Sequence, residues 1–517
     1  MEAIIVWLML ALFTYVGFKR DEEYSPYIPL LFSVVFGSLL RLLFLDFPFD
    51  YHHDERWKVA AVTRMLEQGT LNPKYFLHPS LLLYLTLILQ FFVGDIQLSG
   101  RIVSATAGIL TIPVVFYGLK NLVGKNLSSV ATFLFAVNPL AITCSRYLKE
   151  DSLLVLFTTA TLFLVLNSKR DSRLSYLAAI TAGLALGTKY TGLLSVGILL
   201  FSKIDFKKLP LLFLISGLTF IISTPYSVLD FQSFIDGVLY EKRHAIRGNT
   251  IPISFFSHLG LFHFYRGLLP SYLFVGVLLL PLGFGILRKH LWWILLGLIV
   301  FYLPSEIVRS KIEPQPERYI LPSLPILSLL AAGAISSLKF KRLWLVFLTI
   351  PGIIGTLELK SDSRERMAAY IKANIPRDSK ILIDNQFNSP KLDGFTNVEY
   401  LKTRPLALGF REEFHPNNLR KRGFDYALVS NFTYRCLLYC KEAPELARNG
   451  VIRLFRRLPL VHQEGPLFFS IGFHSPTVSL LKVTETDQFQ SELKFGPNPF
   501  WIVREPFDRM KFLESKK

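Results

Sequence analysis

Two adjacent carboxylates, Asp54 and Glu55, follow an apolar run that ends near Asp46. A carboxylate placed there can act as a general base toward a hydroxyl group. The same pair can instead begin a helix, with Asp54 as its N-cap and Glu55 in its first turn. A second acidic group lies in SRYLKED, residues 145–151, between two apolar runs. Asp151 there is either a site carboxylate or the cap of the following helix, and Arg146 could snorkel to the interface. The motif GTKYTG, residues 187–192, sets Lys189 among small residues at a helix break. That environment suits a phosphate, and it also suits a lysine snorkelling from a tight turn. In EPQPERYILP, residues 313–322, Arg318 and Tyr319 stand where an apolar run begins. Arginine grips phosphate with a planar fork, while Tyr319 could be an aromatic-belt anchor. In YFLHPS, residues 75–80, His78 precedes Pro79; a lone histidine is more often structural than a ligand. His52 and His53 adjoin Asp54, so a divalent metal is conceivable there, although adjacent histidines rarely chelate one ion together.

These groups must be positioned by what surrounds them, and the surroundings are apolar. The chain has 517 residues, 51% hydrophobic and 19% charged, with the apolar residues gathered between positions 1 and 359. Thirteen segments stand out there: 3–18, 27–46, 79–94, 99–120, 127–146, 152–167, 174–188, 190–203, 209–228, 268–287, 291–308, 319–338 and 342–359. Runs of this length match helices crossing about 30 Å of hydrocarbon. Backbone groups in lipid must pair internally, which makes these segments helical. The start of the chain has no basic stretch before its apolar run, so residues 3–18 are expected to be a retained span rather than a signal peptide.

The net charge of +18 raises the question of nucleic acid. The cations sit in short clusters between apolar runs, without a compact basic patch interleaved with aromatics, so no nucleic-acid partner is expected. The clusters are Lys19/Arg20, Lys120/Lys125, Lys169/Arg170/Arg173, Lys203/Lys207/Lys208, Arg288/Lys289 and Lys339/Lys341/Arg342. Placing all of them in the cytoplasm puts 47–78, 147–151, the region of Lys189, 229–267, 309–318 and everything from 360 onward outside. That alternation requires one segment before residue 120 not to cross. Segment 79–94 is the candidate, giving about twelve crossings. Within 47–78, Trp57, Ala60, Ala61, Met65 and Leu66 approximate a helical stripe, an amphipathic surface helix ending at Gly69. The apolar segments lack a series of mid-span charges, which argues against an ion-coupled pump.

Residues 360–517 read as a separate polar α/β domain. RERMAAYIKANI predicts a helix, and KILIDN, YALVS (426–430) and TVSLLKV (477–483) predict strands, with LFFSIGF (467–473) a weaker one. Cys436 and Cys440 could pair outside the cytoplasm or stay as thiols, and no CxxC zinc pair exists. Asn431-Phe432-Thr433 fits a glycosylation sequon.

The order of the Asp-Glu loop, the aromatic-x-His-Pro turn, SRYLKED, GTKYTG and ERYILP resembles the GT-C glycosyltransferases. Among them the resemblance is to dolichyl-phosphate-mannose protein mannosyltransferases and lipid A aminoarabinose transferases, over roughly residues 27–340. It implies an α-helical polytopic membrane fold with a C-terminal extracytoplasmic α/β domain. It also implies a polyprenyl-phosphate sugar donor and a lipid, glycan or protein acceptor. By the same resemblance Asp54 is the catalytic base with Glu55 beside it, and Asp151 is the second-loop acid. Lys189 and Arg318 match basic positions near the donor phosphate, with His78 and Tyr319 beside them. Ser80 stands where relatives have a second proline. Leu77-His78 replaces the acid and lysine of the aminoarabinose transferases, so their donor is not carried over. The implied reaction is an inverting single displacement in the plasma or inner membrane, needing no cofactor, with a divalent metal left open. A transporter or lipid flippase is the alternative, and a non-catalytic membrane scaffold a third reading.

Overall fold

The structure is a computed structural model of the chain, and it describes residues 27–47, 52–247, 275–307, 316–385, 388–403, 406–439, 445–466 and 475–495. The expected segment 3–18, the Lys19/Arg20 cluster, Cys440, the side chain of Cys436 and the run 467–473 lie outside what is described.

The first half is helical: α1 (Tyr27–Leu42), α2 (His53–Glu67), α3 (Leu81–Val93), α4 (Ile96–Val123), α5 (Lys125–Ala136), α6 (Pro139–Cys144), α7 (Asp151–Asn167), α8 (Arg173–Thr188), α9 (Leu193–Ile198), α10 (Leu209–Ser223), α11 (Tyr226–Leu229) and α12 (Phe231–Arg247). Then come α13 (Val275–Ile286), α14 (Leu291–Phe301), α15 (Leu303–Ile307), α16 (Leu324–Ser336) and α17 (Lys341–Lys360). Among the described residues, four helical stretches are long and apolar enough to cross a membrane: Ile96–Val123, Phe206–Ser223, Arg318–Ser336 and Lys341–Asn374. Several expected segments are broken where the sequence breaks them. Segment 127–146 divides at Asn138, whose Oδ1 accepts from the amides of Leu140 and Ala141 and so caps α6, with Pro139 in its first turn. Segment 319–338 begins as a 3₁₀ stretch, Pro316–Ser323, before α16 takes over.

The bundle core is Leu, Ile, Phe and Ala from α1, α4, α5, α7, α8 and α16, with Ile294 and Trp293 of α14. Helices approach closely where side chains are small, as in membrane bundles generally. A Cβ on Gly183 of α8 would fall 2.4 Å from the Ser216 carbonyl oxygen of α10.

The two ends of the bundle differ in chemistry. At one end Arg101 of α4 meets Glu55, Ser104 meets the 149 backbone, and Ser80 donates its amide to Thr224. At the other, Asn167 reaches the Gly118 carbonyl, Arg170 the Asn121 carbonyl, and the Lys203 amide donates to Ser168. The described basic clusters follow or precede helices at this second end, away from Asp54 and Asp151. Helix α3 is only 13 residues long, about 20 Å. Gly94, at φ 82°, turns it directly into α4. Ser80 before α3 and Gln97 after it are both tied to the acidic end, the latter through Glu55.

The tail folds around a sheet with strands β1 (Ile381–Ile383), β2 (Val398–Tyr400), β3 (Tyr426–Ser430), β4 (Leu460–Glu464) and β5 (Val478–Lys482) in the order β2-β1-β3-β5-β4. β1 runs parallel to β2 and β3, while β5 is antiparallel to β3 and β4. Strand alternation sends Ile381, Ile383 and Leu428 to one face, under Met367 and Ile371 of α18 (Ser363–Asn374). Leu382, Ala427 and Val429 face the other way, under α19 (Leu406–Arg411), α21 (Asn431–Tyr439) and α22 (Glu445–Arg457), with α20 (Pro416–Lys421) at their side. Strands β2 and β4 were not expected: VEY is three residues with no alternation to read, and β4 carries His462, Gln463 and Glu464.

Tail and bundle are joined by more than the chain. Ser475 donates its hydroxyl to Glu358 and its amide to Asp362, both at 2.8 Å. These bonds hold Ser475 at φ +43°, a left-handed conformation that a serine rarely adopts. Arg364 pairs with Asp362 at 2.8 Å, and Tyr147 packs with Phe47 and Leu359 at the same junction.

Candidate active site

The site is assembled by α2, the turn before α3, the loop into α7, the end of α8 and the 3₁₀ stretch before α16. Helix α2 starts at His53 because the His52 imidazole accepts from the Asp54 amide at 3.2 Å. The cap is therefore His52 rather than Asp54, which leaves the Asp54 carboxylate available for other partners. The apolar stripe of α2 also differs from expectation. Ala61, Val62 and Met65 are buried against Leu83 and Leu87 of α3, while Trp57 is 50% exposed. The stripe serves packing on α3, and Gly69 follows the helix end with φ 59°, as the sequence predicts.

Asp54 and Glu55 have opposite fates. Glu55 is fully buried and saturated. Its oxygens accept from Arg101 Nε at 2.9 Å and Nη2 at 2.7 Å, from Gln97 at 2.7 Å and from the Leu148 amide at 2.8 Å. A carboxylate with four donors is built to pin the segments around it, whereas a base needs an oxygen open to the acceptor. Asp54 is 23% exposed and ion-paired with Lys149, and its Oδ2 lies 3.7 Å from Arg318 Nη1.

Asp151 opens α7 with its side chain almost buried, 2.7 Å from Lys189 Nζ and 3.9 Å from Arg318 Nε. Lys189 is the residue at which α8 stops, with extended φ/ψ, and it stands 5.4 Å from the Tyr319 ring centroid. Arg318 lies at the same 5.4 Å from that ring. The structure thus brings together Asp54, Asp151, Lys189, Arg318 and Tyr319.

His78 stands to one side, 3.8 Å from Glu150, whose other oxygen lies 3.1 Å from Lys58. Burial, with Lys189 and Lys58 nearby, outweighs Glu150 and Glu241 and pushes the His78 pKa down to about 4. A neutral imidazole is a poor phosphate ligand, so His78 does not join Lys189 and Arg318 as a cation. For Glu150, burial and Asp151 disfavour the charge, but its basic neighbours, Lys58 and Lys149 among them, outweigh both and bring the carboxyl down to about 2.

Sequence reading missed Lys58, Arg101, Lys149 and Glu150. Lys149 and Glu150 lie inside SRYLKED, and Lys58 follows Asp54 by one helical turn, so a spacing signal existed. Arg101 was a visible charge inside the apolar segment 99–120. Arg41, like Arg101, is buried on its helix. Among the described residues no three His, Cys, Asp or Glu side chains converge, and each site carboxylate faces a lysine or arginine, so the donor set does not fit a divalent metal.

Residues 79–235 match the family of dolichyl-phosphate-mannose-protein mannosyltransferases. The chain is similar in structure to ArnT from Cupriavidus metallidurans bound to undecaprenyl phosphate. That match has a TM-score of 0.50 and 15% identity, over 94% of this chain and 99% of that one. It is similar as well to the apo oligosaccharyltransferase of Archaeoglobus fulgidus, with a TM-score of 0.50 and 12% identity, over 91% of this chain and 76% of that one. These matches show that the chain shares the fold of those two proteins. No curated protein matches in sequence. The family match spans the segment from Pro79 through Asp151 and Lys189.

Proposed function

We propose that this chain is a membrane glycosyltransferase that moves a sugar from a polyprenyl-phosphate donor to an acceptor hydroxyl at the extracytoplasmic face, with inversion. The observation that carries this reading is the position of Arg318, within 4 Å of both Asp54 and Asp151, with Lys149 and Lys189 completing a cationic rim around one half-open carboxylate. A base beside preorganised cations is what displacement of a phosphate leaving group requires. The base accepts the hydroxyl proton, and the cations meet the charge that builds on the departing phosphate.

Asp54 is the proposed base. Its oxygen takes the acceptor proton as the acceptor oxygen bonds to the anomeric carbon and the carbon–phosphate-oxygen bond breaks. Lys189 and Arg318 hold the leaving phosphate, with Tyr319 walling the site. An arriving phosphate competes for Lys149 and Arg318, and that competition releases Asp54 from its ion pairs. Asp151 keeps Lys189 and Arg318 extended toward the phosphate position.

Orientation follows from the charge split between the two ends of the bundle, with the basic end cytoplasmic. In this arrangement α3 does not cross, and residues 1–359 form the transferase domain with 360–517 an extracytoplasmic domain. The alternative of a transporter or flippase has no specific observation in its favour. The test is transfer of radiolabelled sugar from a polyprenyl-phosphate donor in proteoliposomes holding the purified protein. Transfer that depends on Asp54 supports the proposal; an inactive protein that instead translocates the lipid supports the alternative.

A further inference from the structure

Among the described residues, two arginines inside the bundle have no acidic partner. Arg41, in the last turn of α1, and Arg146, two residues beyond α6, are both completely buried. Arg41 gives Nη1 to the Gly37 carbonyl at 3.0 Å and to the Ala136 carbonyl at 2.7 Å. Arg146 gives Nη2 to the Leu40 carbonyl. The remaining Nε and Nη2 of Arg41, and Nε and Nη1 of Arg146, are buried without a hydrogen-bond partner.

The two groups are neighbours. Arg146 reaches the residue that precedes Arg41, and their charges are near enough to repel. Gly108 of α4 marks the place: a Cβ there would fall 3.0 Å from Arg41 Nε and 2.8 Å from the Cβ of Ser145. The space beside the guanidinium is kept by a glycine on one side and by the residue before Arg146 on the other.

Local charge does not balance among the described protein groups. Leu40 and Ala136 are terminal carbonyls of α1 and α5, and a helix C-terminus carries about half a negative charge. Two such ends offset about one of the two positive charges. One positive charge and four unpartnered guanidinium nitrogens then remain in a water-excluded interior, where an uncompensated charge is strongly unfavourable. A single monovalent anion satisfies both deficits.

We propose that a small monovalent anion of halide type is bound between Arg41 and Arg146, held by their four remaining guanidinium nitrogens and tying α1 to the loop that carries Lys149 and Asp151. The site is separate from the phosphate position at Arg318 and is structural in role.

The experiment uses the full-length protein purified in detergent. Its melting midpoint is followed against sodium bromide and sodium gluconate at constant ionic strength, and bromide is located by anomalous scattering from crystals. The expected result is a saturable rise in the midpoint with bromide, absent with gluconate, and one bromide peak between Arg41 and Arg146. Arg146→Met should lose the bromide-dependent rise. Equal midpoints in both salts overturn the inference, as does a bromide response unchanged in Arg146→Met. Density showing only water or an acidic side chain between the two guanidinium groups also overturns it, and that reading requires no variant to fold.

Discussion

Lys149 is ion-paired with Asp54 although the lysine is almost wholly buried and the aspartate is partly open. The arrangement fixes the direction of a carboxylate at the mouth of the bundle. Asp54→Asn should abolish sugar transfer while the protein still inserts and melts normally, because a neutral amide cannot take the acceptor proton. Transfer by the purified variant within a few-fold of the parent would remove Asp54 from the base role.

Arg318 reaches two carboxylates at once, and lysine lacks the fork to do so. Arg318→Lys is therefore expected to lower kcat/KM for the lipid donor by on the order of tenfold or more, as loss of a charge-assisted hydrogen bond of about 1.5–3 kcal/mol implies. Donor titrations of the parent and variant in proteoliposomes check this. Equal donor kinetics would show that the guanidinium is not at the phosphate.

Glu55 and Arg101 should behave differently from Asp54. Arg101 also donates Nη1 to the Leu45 and Phe47 carbonyls, so either single change strands buried polar groups. Glu55→Ala or Arg101→Ala should destabilise by about 3–5 kcal/mol, the usual cost of breaking a buried pair from one side. The measurement is folded yield and melting midpoint. Normal stability with lost turnover in Glu55→Ala would instead make Glu55 a participant in the chemistry.

Gly100 lies where α4 meets the site loop, and a Cβ there would fall 2.0 Å from Leu148 Cδ1. Gly100→Ala is expected to cost about 1–3 kcal/mol by overpacking and to displace residues 148–151. Turnover should fall more than the melting midpoint predicts, and Leu148→Ala should restore part of it.

In the tail, Asp384 accepts from Ser389 Oγ and the Ser430 amide, yet burial raises its pKa from 3.8 to about 6. The folded state therefore binds the proton more tightly than the unfolded state. Its contribution to stability is full below pH 4 and is lost as the pH rises through about 6, by at most about 3 kcal/mol. Hydrogen exchange at β1 and β3 should quicken over that window, and Asp384→Asn should flatten the trend. An unchanged pH profile in the variant would assign the effect elsewhere.

How much of this was legible depended on sequence distance. Asp54, Asp151, Lys189 and Arg318 stood out because a charge at the edge of an apolar run has few ordinary uses. The pinning of Glu55 could not be read, since its partner Arg101 lies 46 residues away on another helix. His78 looked like a phosphate ligand because the turn is visible in sequence, but the burial that keeps it neutral is tertiary. Asn431 matched a sequon, yet its side chain is buried and accepts from the Thr477 amide, so in the folded tail it is a sheet-edge bracket rather than an attachment point. The strands of the tail were read where hydrophobic residues ran on, as in YALVS, and missed where charge or shortness hid them.

Glu55 receives the Leu148 amide as well as Arg101, so the backbone under the proposed base is coupled to the backbone under Lys149 and Asp151. Those two segments cannot part without stripping a buried carboxylate of its donors. On the proposed reading, admission of a lipid headgroup would be accommodated by the opposite wall, where Lys189 and Arg318 hang from separate elements. One jaw of the mouth is then fixed, and adjustment to differently sized sugars would fall to the other.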